Sequence, residues 1–266
     1  FIIDLTANDS QINDNFGHDL DLSGSFLLVG APDADGSTTE NSGAAYLFEK
    51  DDNGNWTQTN KFAPASLSAN DNFGSSVAIA GNLIFVGATK GEVSAVDTGT
   101  IYVFENINGN WTETGLIDSP TALSNQFFST DMIAKGEILI ASAPAAGRNG
   151  YAYVYERQDQ NSSNWKLISA LDYNQTSVIS GNTIFAPLAW SEGKIIVGSP
   201  DDNTTVQAGG AFQAFQNPAW TESFNLPNLE PLFDYALPPT LQATEDGQTV
   251  SVDLNGSHPF ESSLKW

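Results

Sequence analysis

The chain spells one phrase twice. "DNFG" stands at residues 14–17 and again at 71–74. Each copy runs into a short apolar stretch and a small-residue corner, "FLLVGAP" at 26–32 and "LIFVGAT" at 83–89. Two looser copies follow, "ILIASAP" at 138–144 and "IIVGSP" at 195–200. The corner falls at Gly30, Gly87, Ser142 and Gly198, spacings of 57, 55 and 56 residues. Trp56, Trp111, Trp165 and Trp220 keep the same beat, as do the aromatic-ended stretches "AAYLF", "TIYVF", "YAYVY" and "AFQAF". Three markers in fixed order, four times over, define an internal repeat of about 55 residues, and such a period restricts the fold to repeat architectures.

Within one repeat the periodicity is that of strands. "SSVAIAG" alternates, and "NLIFVGA" is a short continuous apolar run suited to an inner strand. "GTIYVFE" is β-branched and aromatic, and "NWTETGLI" restarts after an "NGN" turn. Four antiparallel strands per repeat, here A to D, predict an all-β chain: a β-propeller of four-stranded blades. A β-solenoid is the competitor, but its coils are shorter. Four repeats predict a closed four-bladed ring, with an arc of a larger ring as the alternative.

The charge excludes some partners. Acidic residues outnumber basic ones 32 to 9, for a net charge of −23. Such a surface repels nucleic acid and anionic lipid. There is no cysteine, hence no disulfide and no thiol chemistry. No run of 18 apolar residues offers a membrane-spanning helix. His18 and His258 are the only histidines, and neither sits in a recognisable catalytic order. The Gly-Ala-Pro corners lack the lysine and helix of a phosphate loop. No catalytic residue and no enzymatic activity are expected. Seven Asn-X-Ser/Thr sequons, at Asn8, Asn55, Asn110, Asn161, Asn174, Asn203 and Asn255, read as the chance yield of a chain rich in those residues.

The order "DNFG", "VGAP", "SGAAYLF", "GNWTQ" resembles the FG-GAP repeat in the form found in large bacterial surface proteins. The resemblance covers residues 5–227 and weakens in the third and fourth repeats, where "QFFS" and "IFAP" replace "DNFG". It implies a propeller like the head of integrin α subunits, usually seven-bladed, that recognises ligands or displays structure outside the cell. It also implies mostly structural repeat residues: the Phe packing between blades, the Trp capping the outer strand.

Integrin-type repeats bind calcium between strands A and B, but that turn here is only "SGS" or "AGN". Acidic runs lie instead in the B–C loops. Asp33, Asp35 and Glu40 in the first repeat, and Asp201 and Asp202 in the fourth, are the candidate Ca²⁺ ligands. Carboxylates at alternate positions beside a glycine are how hard oxygen ligands wrap that ion.

The predicted organisation is a propeller over 1–227, with repeats at about 5–60, 61–117, 118–171 and 172–227. A proline-rich linker follows over 228–240, and then a strand-patterned tail over 241–266 that resembles the opening of a cadherin- or immunoglobulin-like adhesin repeat. "FIIDLTAND" takes the place of "TNKFAPASLSAND", so the chain is expected to begin with a D-type strand as well as ending on one. A surplus strand invites β-augmentation between copies. Phe1, Ile2, Ile3, Thr249, Val250, Val252 and Leu254 are the candidates for that exchange. The expected function is a non-enzymatic structural or adhesive module of a bacterial surface fibre, its partners other copies of itself joined head to tail. The alternative is a ligand-binding head for protein or glycan.

Overall fold

The computed structural model describes residues 4–91, 97–121, 125–144, 150–159, 164–172, 186–191, 193–199 and 211–216. Among them are four antiparallel sheets and no helix. The first sheet is β1 (Leu20–Ser23), β2 (Phe26–Ala31), β3 (Ala44–Lys50) and β4 (Trp56–Phe62). The second is β5 (Phe73–Ala80), β6 (Leu83–Ala88), β7 (Thr100–Ile107) and β8 (Asn110–Asp118). The third is β9 (Met132–Lys135), β10 (Ile138–Ala143), β11 (Tyr151–Arg157) and β12 (Trp165–Asp172). The fourth shows β13 (Leu188–Ser191), β14 (Lys194–Ser199) and β15 (Ala211–Gln216). Each sheet is a meander in sequence order. These are four blades of a β-propeller, and the fourth blade's expected D strand lies outside the described residues.

The blades share one register. The B-strand corner pairs with the start of strand C as Gly30↔Ala45, Gly87↔Ile101, Ser142↔Ala152 and Gly198↔Phe212. A bulge recurs at one place in the C–D pairing, between Leu47 and Phe48, Val103 and Phe104, Val154 and Tyr155. Such a bulge bends and twists the outer strand.

The core is three joints, where the faces of adjacent blades meet. Leu28, Ala45, Leu47 and Phe62 of blade one pack on Phe73, Val77, Ile79 and Ile84 of blade two. Leu83, Phe85, Ile101 and Val103 meet Phe128, Met132, Leu139 and Tyr153. Ile138, Ile140 and Val154 meet Ala186, Ile195 and Val197. Blade one's other face gathers Val29, Tyr46, Phe48, Phe16 and Trp56, with Leu5 and Ala7 laid against it. No described residue of blade four joins that cluster. Leu20 and Leu22 are each 60% exposed there, whereas Val77 and Ile79, their counterparts in blade two, are 2% and 3% exposed.

Asp4 and Leu5 are not in a strand, and residues 1–3 of the expected N-terminal D strand lie outside the described residues. One expectation is corrected. The Trp is not a simple cap on its own blade. Trp111 reaches across the joint to Phe26 and Phe62 at centroid distances of 6.1 and 6.3 Å. Trp165 likewise meets Phe85 of the preceding blade at 5.1 Å.

Candidate functional site

The repeated phrase is a latch between blades. Asn72 (φ 58°) and Gly74 (φ +90°) turn the backbone through the left-handed region, which asparagine tolerates and glycine occupies freely. The turn carries Phe73 into the joint, fully buried and edge-on to Tyr102 at 5.2 Å. Its backbone docks on the preceding blade: Phe73 N–H donates to the Ser42 carbonyl at 3.1 Å, and Asn70 N–H to Asn41 at 2.8 Å. Asp71 holds the run-in by accepting from Ser68 N–H at 2.8 Å, as Asp14 does from Gln11 at 2.7 Å. The third repeat makes the same latch in other residues. Phe128 N–H donates to Thr98 at 3.0 Å, while Phe127 (φ 53°) and Ser129 (φ 70°) stand where asparagine and glycine stood.

Around the propeller axis, β1, β5 and β9 wall a cavity of about 450 Å³ that contains Asp19, Asp21, Asp131 and Lys135. The aspartates are clasps between innermost strands. Asp19 accepts from Val77 N–H at 2.7 Å, Asp21 from Ile79 N–H at 2.8 Å, and Asp131 from Leu188 N–H at 2.7 Å. Ser76, at the matching place in blade two, donates its hydroxyl to the Ser129 carbonyl. The sequence reading missed this set. The signal was available: Asp19 and Asp131 hold one repeat position, two residues after the latch glycine or its stand-in.

Burial raises both carboxyls. Asp131 is pushed up to about 6, chiefly by desolvation, with the charge of Asp19 adding to it and the Leu188 and Met132 N–H groups opposing it. Asp19 is raised by burial too, against the Val77 N–H bond. The sign follows. A carboxyl raised in the fold binds its proton more tightly there than in the unfolded chain, so ionising it destabilises the fold. That penalty is complete above pH 6 and vanishes below about pH 4, the unfolded value. It amounts to about 1–3 kcal/mol for Asp131. Acidification from pH 7.5 to 5 is therefore expected to raise Tm. Relief of the overall negative charge acts in the same direction, so the control is Asp131→Ser, the residue type found at position 76. That variant should show a smaller rise, and a ¹³C titration should place the Asp131 carboxyl near 6.

The candidate calcium ligands are placed as follows. Asp33 accepts from the side-chain amide of Asn15, and from that of Asn72 at 3.5 Å. Asp35 accepts from Gln11 Nε2 at 2.9 Å and from Asn41 N–H at 3.0 Å. Glu40 is exposed. Both aspartates accept from amide donors, and no three acidic or histidine side chains gather at metal-binding distance among the described residues. Nearby, Lys61 pairs with Asp9 at 2.6 Å. Asp201 and Asp202 lie outside the described residues, as do Phe1, Ile2, Ile3, Thr249, Val250, Val252 and Leu254. Among the described residues no helix is long and apolar enough to cross a membrane.

Meandering four-stranded blades, latched in series round an axial cavity, define the class: a β-propeller. The FG-GAP repeat family model matches residues 2–48 and 56–104, within its first two blades. No curated protein matches the chain. Among solved structures, a GH32 β-fructofuranosidase of Bombyx mori in complex with sucrose aligns with TM-score 0.42 and 12% identity, over 77% of this chain. The chain spans 46% of that enzyme's length. A periplasmic gluconolactonase of Pseudomonas aeruginosa aligns with TM-score 0.38 and 12% identity, over 76% of this chain and 69% of its own.

Proposed function

We propose that this chain is a non-enzymatic, extracellular structural or adhesive module that associates with further copies of itself, blade face to blade face. One observation carries the reading: the 60% exposure of Leu20 and Leu22, at positions that a preceding blade buries in blade two. Blade four turns away from its own joint the side chains of Ile196, Phe212 and Ala214. These stand at the positions by which Leu28, Ala45 and Leu47 of blade one receive blade two. The far face of one copy's blade four thus has the pattern that the near face of another's blade one requires. Such a contact is heterologous and propagates a filament unless it closes. The expected role of the chain termini in strand addition belongs to the same proposal. So does a Ca²⁺ ion at the Asp33–Asp35 loop, which chelation should reveal as a lower Tm.

Sedimentation velocity tests the association. The weight-average mass should rise with concentration, and Leu20→Asn with Leu22→Asn should hold the chain monomeric without lowering its Tm. A monomer at every concentration would overturn the reading. A ligand-binding head is the second reading, favoured by a cavity at the joint between blades two and three.

A further inference from the structure

We propose that the outer edge of the joint between blades two and three is a carbohydrate subsite, sized for one pyranose ring and built from Tyr155, Trp165, Leu116, Asp118 and Asn164. The proposal rests on the ligand-binding reading and gives it a place and a chemistry.

Two of the differences between this joint and the one before it bear on the space beside the tryptophan. In the first joint, Phe62 of β4 fills the space between Phe104 and Trp111, at centroid distances of 4.7 and 6.3 Å, and is 5% exposed. Strand registers place Ile117 at the position of Phe62, Tyr155 at that of Phe104, and Trp165 at that of Trp111. A phenyl ring is thus replaced by a smaller aliphatic side chain, and a hydroxyl is added opposite. Beside them lies a cavity of about 310 Å³, lined by Ile117, Tyr155, Trp165, Leu116, Asp118 and Asn164 among others. That volume is at the small end of ligand pockets, roughly 300 Å³ and up, and suits a single ring.

The hydroxyl is the second clue. Repeats one, two and four carry Phe48, Phe104 and Phe215 at this position. Tyr155 alone adds an oxygen there. Its side chain is 4% exposed, and its Oη is buried with no hydrogen-bond partner. A buried hydroxyl left unpaired costs about 1–3 kcal/mol, and the neighbouring repeats show that phenylalanine fits without that cost. A ligand that pairs with the hydroxyl removes it. An apolar ring would fill the cavity but leave the hydroxyl unpaired. A sugar offers hydroxyls to Tyr155 and Asp118, while its C–H face lies on Trp165 and the half-exposed Leu116. Asp118 is held in place through one oxygen by Thr100 Oγ1 at 3.2 Å.

The test is saturation-transfer NMR on the full chain with methyl α-mannoside, methyl β-galactoside, methyl β-glucoside and N-acetylglucosamine, and with toluene as the apolar-ring probe. At least one sugar should receive saturation and shift the Trp165 indole N–H. Tyr155→Phe should weaken that binding about tenfold, and Ile117→Phe should abolish it. Tyr155→Phe should also raise Tm, an effect that loss of fold cannot mimic. Binding of toluene without any sugar, no binding by any probe, or unchanged affinity in Tyr155→Phe would each overturn the site. The association proposal is read separately: a monomer that binds the sugar leaves this site standing, and a filament that does not refutes this site alone.

Discussion

Replacing Gly74 by alanine is expected to abolish cooperative folding of the first two blades. Two costs coincide at this glycine. Its φ of +90° is strained for any residue with a Cβ. An added Cβ would also sit 2.2 Å from the Ala44 carbonyl oxygen and 3.0 Å from the Ala31 nitrogen, both backbone atoms of the preceding blade. Neither can move without opening the joint. Gly30 and Gly43 face the same approach from the other side, with added Cβ atoms 2.0 Å from the Gly74 and Phe73 oxygens. Gly81 is the control. Its φ is +63°, but nothing lies within 4 Å of an added Cβ. Gly81→Ala should cost about 1–2 kcal/mol from backbone strain alone. Gly74→Ala should exceed about 4 kcal/mol, the range of severe core disruption. Thermal melts followed by near-ultraviolet circular dichroism compare the two, and equal losses would refute the close-approach account.

Arg157→Met should cost about 3–5 kcal/mol, the penalty for stranding one member of a buried ion pair. Arg157 lies in blade three with its side chain 4% exposed, and its guanidinium grips Glu105 of blade two through two bonds of 2.7 and 3.3 Å. Glu105 also accepts from Asn82 Nδ2 at 2.9 Å, so its carboxylate is positioned in advance. Adding Glu105→Leu to Arg157→Met should restore part of the loss, because the carboxylate that then lacks the guanidinium is that of Glu137, 3.8 Å from it in the native chain and 41% exposed. Denaturant melts of the single and double variants give the coupling. Additive losses would show that the pair does not join the blades.

The fold was legible because its signals are local and repeated. The latch needs a glycine at positive φ, an asparagine two residues before it and an aspartate that caps the run-in, and "DNFG" supplies all three in four letters. The third latch was less legible because Phe127 and Ser129 take up the same φ values without the residue types that announce them. The Trp was misassigned because the neighbour it packs on belongs to another blade, which strand pattern does not reveal. The clasps of Asp19, Asp21 and Asp131 were hidden for a related reason. An aspartate beside a glycine reads as a turn cap, and only the assembled ring brings the next strand's N–H groups to it. The spacing of Asp33 and Asp35 shows their oxygens but not the amides of Asn15, Asn72 and Gln11 that approach them from other segments. The cavity at Tyr155 could have been found by aligning the repeats, since both of its substitutions are visible there.

The chain has no cysteine, so a single introduced thiol reports one position cleanly. The central claim is that blade one's near face is open in the single chain and closes on a second copy. Thiol labelling of Leu22→Cys, beside Ile79→Cys as the buried counterpart, measures this directly over a range of protein concentration. The account predicts rapid labelling at position 22 in dilute solution, growing protection there as concentration rises, and protection at position 79 throughout. Protection at position 22 at every dilution would mean that the face is covered within the chain, and rapid labelling at every concentration would mean that nothing covers it; either result contradicts the account.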